Sequence, residues 1–292
     1  MTPQPAQLAA LVAVTDLGTF EAAARHLHVT PSAVSQRIRA LESAAGQVLV
    51  HRGTPCEPTD AGALLLRLAR QTQLLYDEAG LALSGGDGTV AVPVAVNADS
   101  LATWFRDVLD EAAGWSGTAL RLRVEDQAWS ADLLRRGDAL AAVTSDPAPV
   151  QGCSVEPLGV LRYVPAATSA FAERWRAGRG PDWSAMPVVV FNAKDDLQYR
   201  LLRRHGVDRP PVVHEVPTST DFHEAVRRGL GWAAVPEPQL LPDLAAGRLV
   251  RLHARDHVDV PLHWQRWRLD SPTLDRLTAA VRRAARAHLR RP

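Results

Sequence analysis

Ser32, Ser35, Gln36 and Arg39 recur at three- and four-residue intervals, so on a helix they share one face. Hydroxyls, an amide and a guanidinium are the groups that read base edges in a DNA major groove, the amide suiting adenine and the guanidinium guanine. Val34, Ile38 and Leu41 repeat on the opposite face and require burial. A second group of polar residues offers different chemistry. Asn97, Asp99 and Ser100 follow the alternating valines 90, 92, 94 and 96, and Thr218, Ser219 and Thr220 follow another apolar run. Small polar residues between a strand and a helix cap the helix and can hold an anion on its positive end, while a carboxylate such as Asp99 accepts from a cation. For these residues capping alone is the competing role.

The first set needs a helical hairpin to present it, and 19–46 supplies one. Thr19 is a natural N-cap, and Phe20, Ala23, Ala24 and Leu27 make one apolar stripe. Thr30 caps the second helix, with Pro31 at its first position, where a missing N–H costs nothing. A helix over 4–15, carrying Leu8, Leu11 and Val12, packs beneath the pair. Beyond Gly46, residues 47–59 read as two short strands about a Gly-Thr-Pro turn, a wing from which Arg52 reaches a phosphate or the minor groove, or merely solvent. Taken by spacing alone, the unit also suits an alanine-rich hairpin with no nucleic-acid role.

Thr59 opens a helix to about residue 83, roughly 36 Å long, with Leu64, Leu65, Leu68, Leu74 and Leu75. So much leucine calls for a partner helix. The glycine-rich 84–88 then makes a hinge. From residue 89 strands and helices alternate: strands over 90–96, 119–124, 139–144, 188–191, 212–216 and 232–235, helices over 101–112, 130–136, 195–204 and 220–228, and a terminal helix over 273–289. That alternation implies two α/β lobes with parallel sheets and a ligand cleft at the strand ends.

Composition narrows the function. Net charge is +1, and the first 60 residues hold four arginines (25, 37, 39, 52) against five acids (Asp16, Glu21, Glu42, Glu57, Asp60). DNA affinity therefore needs placed arginines, helix ends and oligomerisation rather than a broad basic surface. Of 33 basic side chains only Lys194 is a lysine. No stretch of about 20 apolar residues and no signal-peptide pattern occurs, and Cys56 and Cys153 lie far apart, so a reduced cytoplasmic protein is expected. Phosphate-loop, nucleophile-elbow and zinc-protease motifs are missing from the sequence. His253 and His257 have metal-like spacing without cysteine partners, and no metal is expected there.

Thr19-Phe20, Ala22–Ala24, Leu27, Ser32–Ser35, Ile38, Leu41-Glu42 and Gly46, followed by 58–62 (Pro-Thr-Asp-Ala-Gly), resemble the winged helix-turn-helix and linker-helix start of LysR-type transcriptional regulators. The wing departs from that pattern, with Val48-Leu49-Val50-His51-Arg52 in place of the usual Leu-Phe-x-Arg. Residues 97–105 and 191–198 are similar to signatures of the lysine/arginine-sensing, LysG/ArgP-like branch. The resemblance implies a winged helix-turn-helix domain over 1–58, a linker helix and hinge over 59–88, and a bilobed, periplasmic-binding-protein-like effector domain over 89–292. Lobe I would comprise about 89–162 and 266–292, and lobe II about 163–265. It further implies a homodimer or homotetramer that binds double-stranded operator DNA, works with RNA polymerase and activates an amino-acid exporter gene. Its ligand would be a basic L-amino acid (lysine, arginine or histidine), with no cofactor and no membrane partner.

For such a ligand, Ser100 as N-cap and the N–H groups beyond it would take the carboxylate, and Asp99 an ammonium or guanidinium. Thr218, Ser219 and Thr220 would face the cleft from lobe II. Glu125 and Asp126 would take the side-chain cation, or be ordinary turn acids. Trp104 and Trp129 could stack on the ligand or belong to the core, and Lys194 with Asp195 and Asp196 forms a local network or a cap. DNA would be contacted by Thr19, Thr30, Ser32, Ser35, Gln36, Arg39 and Arg52. Two readings stand against this one: a sequence-tolerant architectural DNA-binding protein, and a cytosolic bilobed enzyme with an accessory helical domain.

Overall fold

Side-chain caps set the helix boundaries of the N-terminal unit. In the computed structural model, which describes residues 2–85, 87–124 and 130–291, three helices come first: α1 (Pro5–Leu17), α2 (Phe20–His26) and α3 (Pro31–Ala45). The Thr19 and Thr30 hydroxyls accept from Ala22 N at 3.1 Å and Ala33 N at 3.2 Å, and Gly46 ends α3 in the left-handed conformation. His28 takes the left-handed position in the turn between α2 and α3. Leu11, Val14, Val34, Ile38, Leu41 and Leu49 close the core among the helices and the wing, β1 (Val50–His51) against β2 (Glu57–Pro58).

Thr59 caps α4 (Asp60–Leu83), its Oγ1 accepting from Gly62 N at 3.0 Å. The helix leaves Leu64, Leu68, Leu75, Tyr76 and Leu83 exposed, the apolar surface anticipated for a partner. Next come β3 (Val90–Val96), α5 (Ala98–Ala102), α6 (Arg106–Ala112), β4 (Thr118–Val124), α7 (Ser130–Arg136) and β5 (Ala141–Thr144). β3 pairs in parallel with β4 on one side and β5 on the other. The helix expected over 101–112 is in fact α5 and α6. Thr103 breaks it (φ −122°, ψ −108°) as its hydroxyl donates to the Asp99 carbonyl at 2.6 Å, and Trp104 and Phe105 turn into the core edge-to-face.

Two long strands were not anticipated. β6 (Cys153–Ala167) is followed by α8 (Ser169–Arg174), the small ribbon β7 (Arg176–Ala177) and β8 (Gly180–Pro181), β9 (Val188–Val190), α9 (Leu197–Arg204), β10 (Val213–Glu215), α10 (Ser219–Arg227), β11 (Ala233–Pro236), α11 (Glu237–Ala245), β12 (Val250–Arg251), β13 (Val258–Trp267) and α12 (Pro272–His288). β6 and β13 run antiparallel along their full shared length, with a bulge at Leu262/His263. One end of the ribbon joins lobe I, where residues 263–266 of β13 pair with β5. The other joins lobe II, where β11 and β12 both pair antiparallel with the end of β6. β9 and β10 are parallel, and a single bridge from Val188 to Trp232 ties them to the β11 side. Both lobes are α/β, but their sheets are mixed rather than all parallel. The chain's end pins the ribbon: Val160 and Arg290 exchange both backbone hydrogen bonds, at 2.9 and 3.0 Å. Among the described residues no helix is long and apolar enough to cross a membrane.

One glycine decides how the linker helix leaves the wing. A Cβ on Gly62 would stand 1.9 Å from the Leu49 carbonyl oxygen, which itself accepts from Thr59 N at 3.0 Å. Helix propensity favours alanine by about 1 kcal/mol, but a backbone clash this deep outweighs it. Gly62→Ala is expected to destabilise the head by about 1–3 kcal/mol in denaturant unfolding of the full chain; unchanged or raised stability would show that the helix can shift away from the wing.

Candidate functional site

The reading face is built by α3. Val34, Ile38 and Leu41 are buried, which turns Ser32, Gln36 and Arg39 to solvent, with Ser35 half-buried at its edge. Thr30 is spent on its cap and on a 2.9 Å bond with the Ser32 hydroxyl. Thr19, Ser32, Ser35 and Arg52 line one shallow depression between the starts of α2 and α3 and the wing. The Arg52 guanidinium lies 5.7 Å from the Phe20 ring centroid and 3.7 Å from Glu42 on α3. Glu42 also accepts from Leu49 N at 3.0 Å, so one carboxylate ties the wing to the reading helix. Of the seven residues named from the sequence for DNA contact, Thr19, Ser32, Ser35 and Arg52 share this depression, Gln36 and Arg39 are exposed on α3, and Thr30 is a helix cap.

The second site is a cleft of about 380 Å³ where strand ends of both lobes meet the β6/β13 ribbon, within the usual size for a small-molecule site. Asn97, Ala98 and Asp99 line it from the β3–α5 corner, and Ser145 from just beyond β5. The β9–α9 corner faces them with Phe191, Asn192, Lys194 and Asp195, and Asp259 lies on the ribbon.

Asn97, not Ser100, is the cap of α5: its Oδ1 accepts from Ser100 N at 2.6 Å. Ser100 is fully buried: with the cap three residues earlier it falls inside α5, and its side chain is drawn into the core. The Asn97 side-chain amide Nδ2 is buried with no partner among the described residues. An unmet buried donor costs about 1–3 kcal/mol, which a ligand acceptor would relieve. Asp99 receives the Tyr163 hydroxyl at 2.8 Å, which fixes its carboxylate against the ribbon. Phe191 and Phe222 meet edge-to-face, 6.3 Å between centroids, as an apolar wall of the cleft.

Thr218, Ser219 and Thr220 do not line the cleft. Thr218 caps α10, its Oγ1 bonded to both the backbone and the carboxylate of Asp221, and Thr220 borders a separate depression shared with Thr103 and Arg106. α10 turns Phe222 toward the cleft instead, so the hydroxyls at its start point elsewhere. Glu125, Asp126 and Trp129 lie outside the described residues. Trp104 is core. Asp195 braces the β9–α9 corner by accepting from Phe191 N and Leu197 N, and Asp196 pairs with Arg203 at 3.0 Å. Among the described residues no cluster of three metal-binding side chains exists; His253 pairs with Asp256 at 3.1 Å.

Sequence reasoning missed Tyr163, Arg162 and Asp259, all on the ribbon. Its signal was the alternation of Leu161 with Tyr163 and of Val258, Val260 and Leu262. Arg162 and Asp259 sit opposite each other in register and pair through two bonds of 2.7 Å. That guanidinium holds the Asp259 carboxyl below the usual carboxylate range, against the upward push of burial, with smaller help from His257 and Arg290.

A winged helix-turn-helix on a long helix, followed by two α/β lobes around a ligand-sized cleft, defines a ligand-responsive DNA-binding regulator. The chain belongs to the LysR family: residues 5–63 match the bacterial regulatory helix-turn-helix protein, lysR family, and residues 86–290 match the LysR substrate binding domain. The lysine export transcriptional regulatory protein LysG of Corynebacterium glutamicum is 46% identical over 288 residues, 98% of this chain and 99% of its own. The crystal structure of ArgP from Mycobacterium tuberculosis superposes with a TM-score of 0.89 at 47% identity, covering 100% of both chains. Full-length LysG from C. glutamicum with bound effector Arg superposes at 0.82 and 45% identity, covering 98% of this chain and 99% of that one. The protein is accordingly a DNA-binding transcriptional regulator and not an enzyme.

Two outcomes are expected. Replacing Arg39 or Gln36 with alanine lowers affinity for a specific operator by about 1–3 kcal/mol while affinity for random DNA changes less; equal losses on both would assign these residues to the phosphates alone. For Asp259, a depressed pKa means the pair's stabilisation is full above the unfolded value of about 4 and is lost as pH falls through the folded value. Because Asp259 is partly exposed, that contribution is at most about 1 kcal/mol. Urea unfolding of wild type and Arg162→Gln should therefore differ at pH 6, and the difference should shrink as the pH falls below the usual carboxylate range. A gap independent of pH would remove the ion pair as its cause.

Proposed function

We propose that the chain senses a basic L-amino acid in the cleft and controls transcription of an amino-acid exporter gene in the cytoplasm, with the two lobes closing on the ligand as in periplasmic binding proteins. The observation that carries this reading is the pairing of Asp99 with the unmet Asn97 amide on one cleft wall, opposite Phe191 and Phe222. A cationic group donates to Asp99 in a charge-assisted bond, the α-carboxylate accepts from Asn97, and the aliphatic stem lies along the two rings. Lys194, across the cleft, adds a second donor for the carboxylate. The arginine bound by the C. glutamicum relative has these same groups to satisfy.

Self-association through the exposed leucines of α4 supplies a second head, and a tetramer four, which offsets the weak charge of one head. RNA polymerase is the downstream partner of the DNA-bound assembly.

Titration calorimetry with L-arginine, L-lysine and L-histidine, and with L-glutamate and L-norleucine as controls, tests the reading. The basic amino acids should bind and the controls should not. Asp99→Ala should weaken L-arginine by about 10- to 100-fold, the value of a charge-assisted bond, with operator affinity unchanged. Absence of binding by all three basic amino acids at millimolar concentration would overturn the proposal.

A further inference from the structure

The linker helix has a second face. Arg67, Arg70, Leu74, Glu78 and Leu81 recur at intervals of three and four along α4, and this stripe lies on lobe I. Glu78 accepts from the Ser271 hydroxyl at 2.7 Å and from Thr273 N at 3.0 Å, capping α12. The Arg67 guanidinium sits 4.9 Å from the Trp267 ring centroid, at the end of β13. The α7–β5 turn presses against the helix so closely that a Cβ on Gly137 would fall 2.8 Å from the Arg67 Cα.

At Arg70 the head and lobe I meet on one side chain. Its Nη2 donates to Asp16 in the last turn of α1, and its Nη1 donates to Asp138, just before β5, with the Arg136 carbonyl 3.5 Å away. The Arg70 side chain is only 12% exposed. A planar guanidinium that uses two nitrogens in a fixed fork holds its two acceptors in one geometry, which a lysine ammonium does not.

The covalent path between α4 and lobe I passes Gly85 and Gly88, both at positive φ, where no side chain fixes the backbone. The stiff path runs through the stripe. Asp138 leads into β5, β5 ends beside Ser145 in the cleft, and β5 pairs with β3, which ends at Asn97. Of the stripe residues described here, Arg70 is the one also bonded to the head.

We propose that Arg70 is the positioning residue through which the state of lobe I reaches the DNA-binding head. This rests on the reading that a basic amino acid occupies the cleft. The probes are L-arginine and DNA upstream of the protein's own coding region, each titrated with and without the other. Reciprocity requires that arginine change DNA affinity by the factor by which DNA changes arginine affinity, typically 5- to 150-fold. In Arg70→Gln that factor should fall to within twofold of one, while arginine affinity of the free protein stays within threefold of wild type. Asp16→Asn and Asp138→Asn should each lose the coupling, and the double variant should lose no more, because the two arms act in series. Arg70→Lys should restore only part of it.

An undiminished factor in Arg70→Gln, or additive losses in the aspartate variants, overturns the proposal. If wild type binds neither arginine nor lysine, the cleft reading fails, and a ligand-free measurement still decides on Arg70. With fluorophores on Arg25→Cys of the head and Asp110→Cys of lobe I, Arg70→Gln should broaden the distance distribution. An unchanged distribution in that case sinks the role of Arg70 as well.

Discussion

The β6/β13 ribbon is the constraint on which the effector domain depends. Each lobe completes its sheet on one end of it, so neither lobe has an independent sheet core. The cleft is the gap left where the ribbon passes from one lobe to the other, and the ribbon is its floor. Asp99 is held by Tyr163 from β6, and Asp259 by Arg162 across the two strands. The two lobes therefore share one hydrogen-bonded strand pair, and two-stranded ribbons carry more twist than wide sheets do. The bulge at Leu262/His263 lies where β13 takes on β5 as its second neighbour.

The head follows a different logic. Its reading helix is presented by burial of three aliphatic residues and by hydroxyl caps, not by electrostatic attraction. With more acids than arginines in its first 60 residues, the head gains from being held in a defined orientation and from being multiplied. α4 serves both needs because its apolar exposed stripe and its lobe-facing stripe lie on different sides of the helix. The apolar face left exposed and the face attached to lobe I therefore do not overlap.

The legible parts of this molecule were those written in local chemistry. Thr19, Thr30, Pro31, Gly46 and Thr59 mark helix ends within a few residues, and each marks one in the structure. The strand–helix corner carrying Asn97 and Asp99 could be placed in the cleft because such corners gather at strand ends in α/β folds. What local chemistry could not decide was which of two capping candidates three residues apart wins: Asn97 took the role assigned to Ser100. Nor could it decide how a capped helix is rotated, and α10 turned its hydroxyls away and its Phe222 in. The ribbon was hidden for another reason. β6 and β13 are separated by some ninety residues (Ala167 to Val258), and their pairing is a fact of topology that neither sequence states alone. Tyr163, Arg162 and Asp259 went unseen with it.

A single lysine in a chain otherwise cationic through arginine gives the cleft a chemical address. Lys194 is exposed and borders the cleft, and it carries the only ε-amine in the sequence. Reagents selective for amines therefore reach the cleft and the chain's amino terminus and no other side chain. Reductive methylation with isotopically labelled formaldehyde would install one side-chain nuclear spin reporter at the edge of the cleft. For the same reason, immobilising the protein on a surface through its amines would anchor it by the cleft itself, and the space open in free solution would be turned toward the chip.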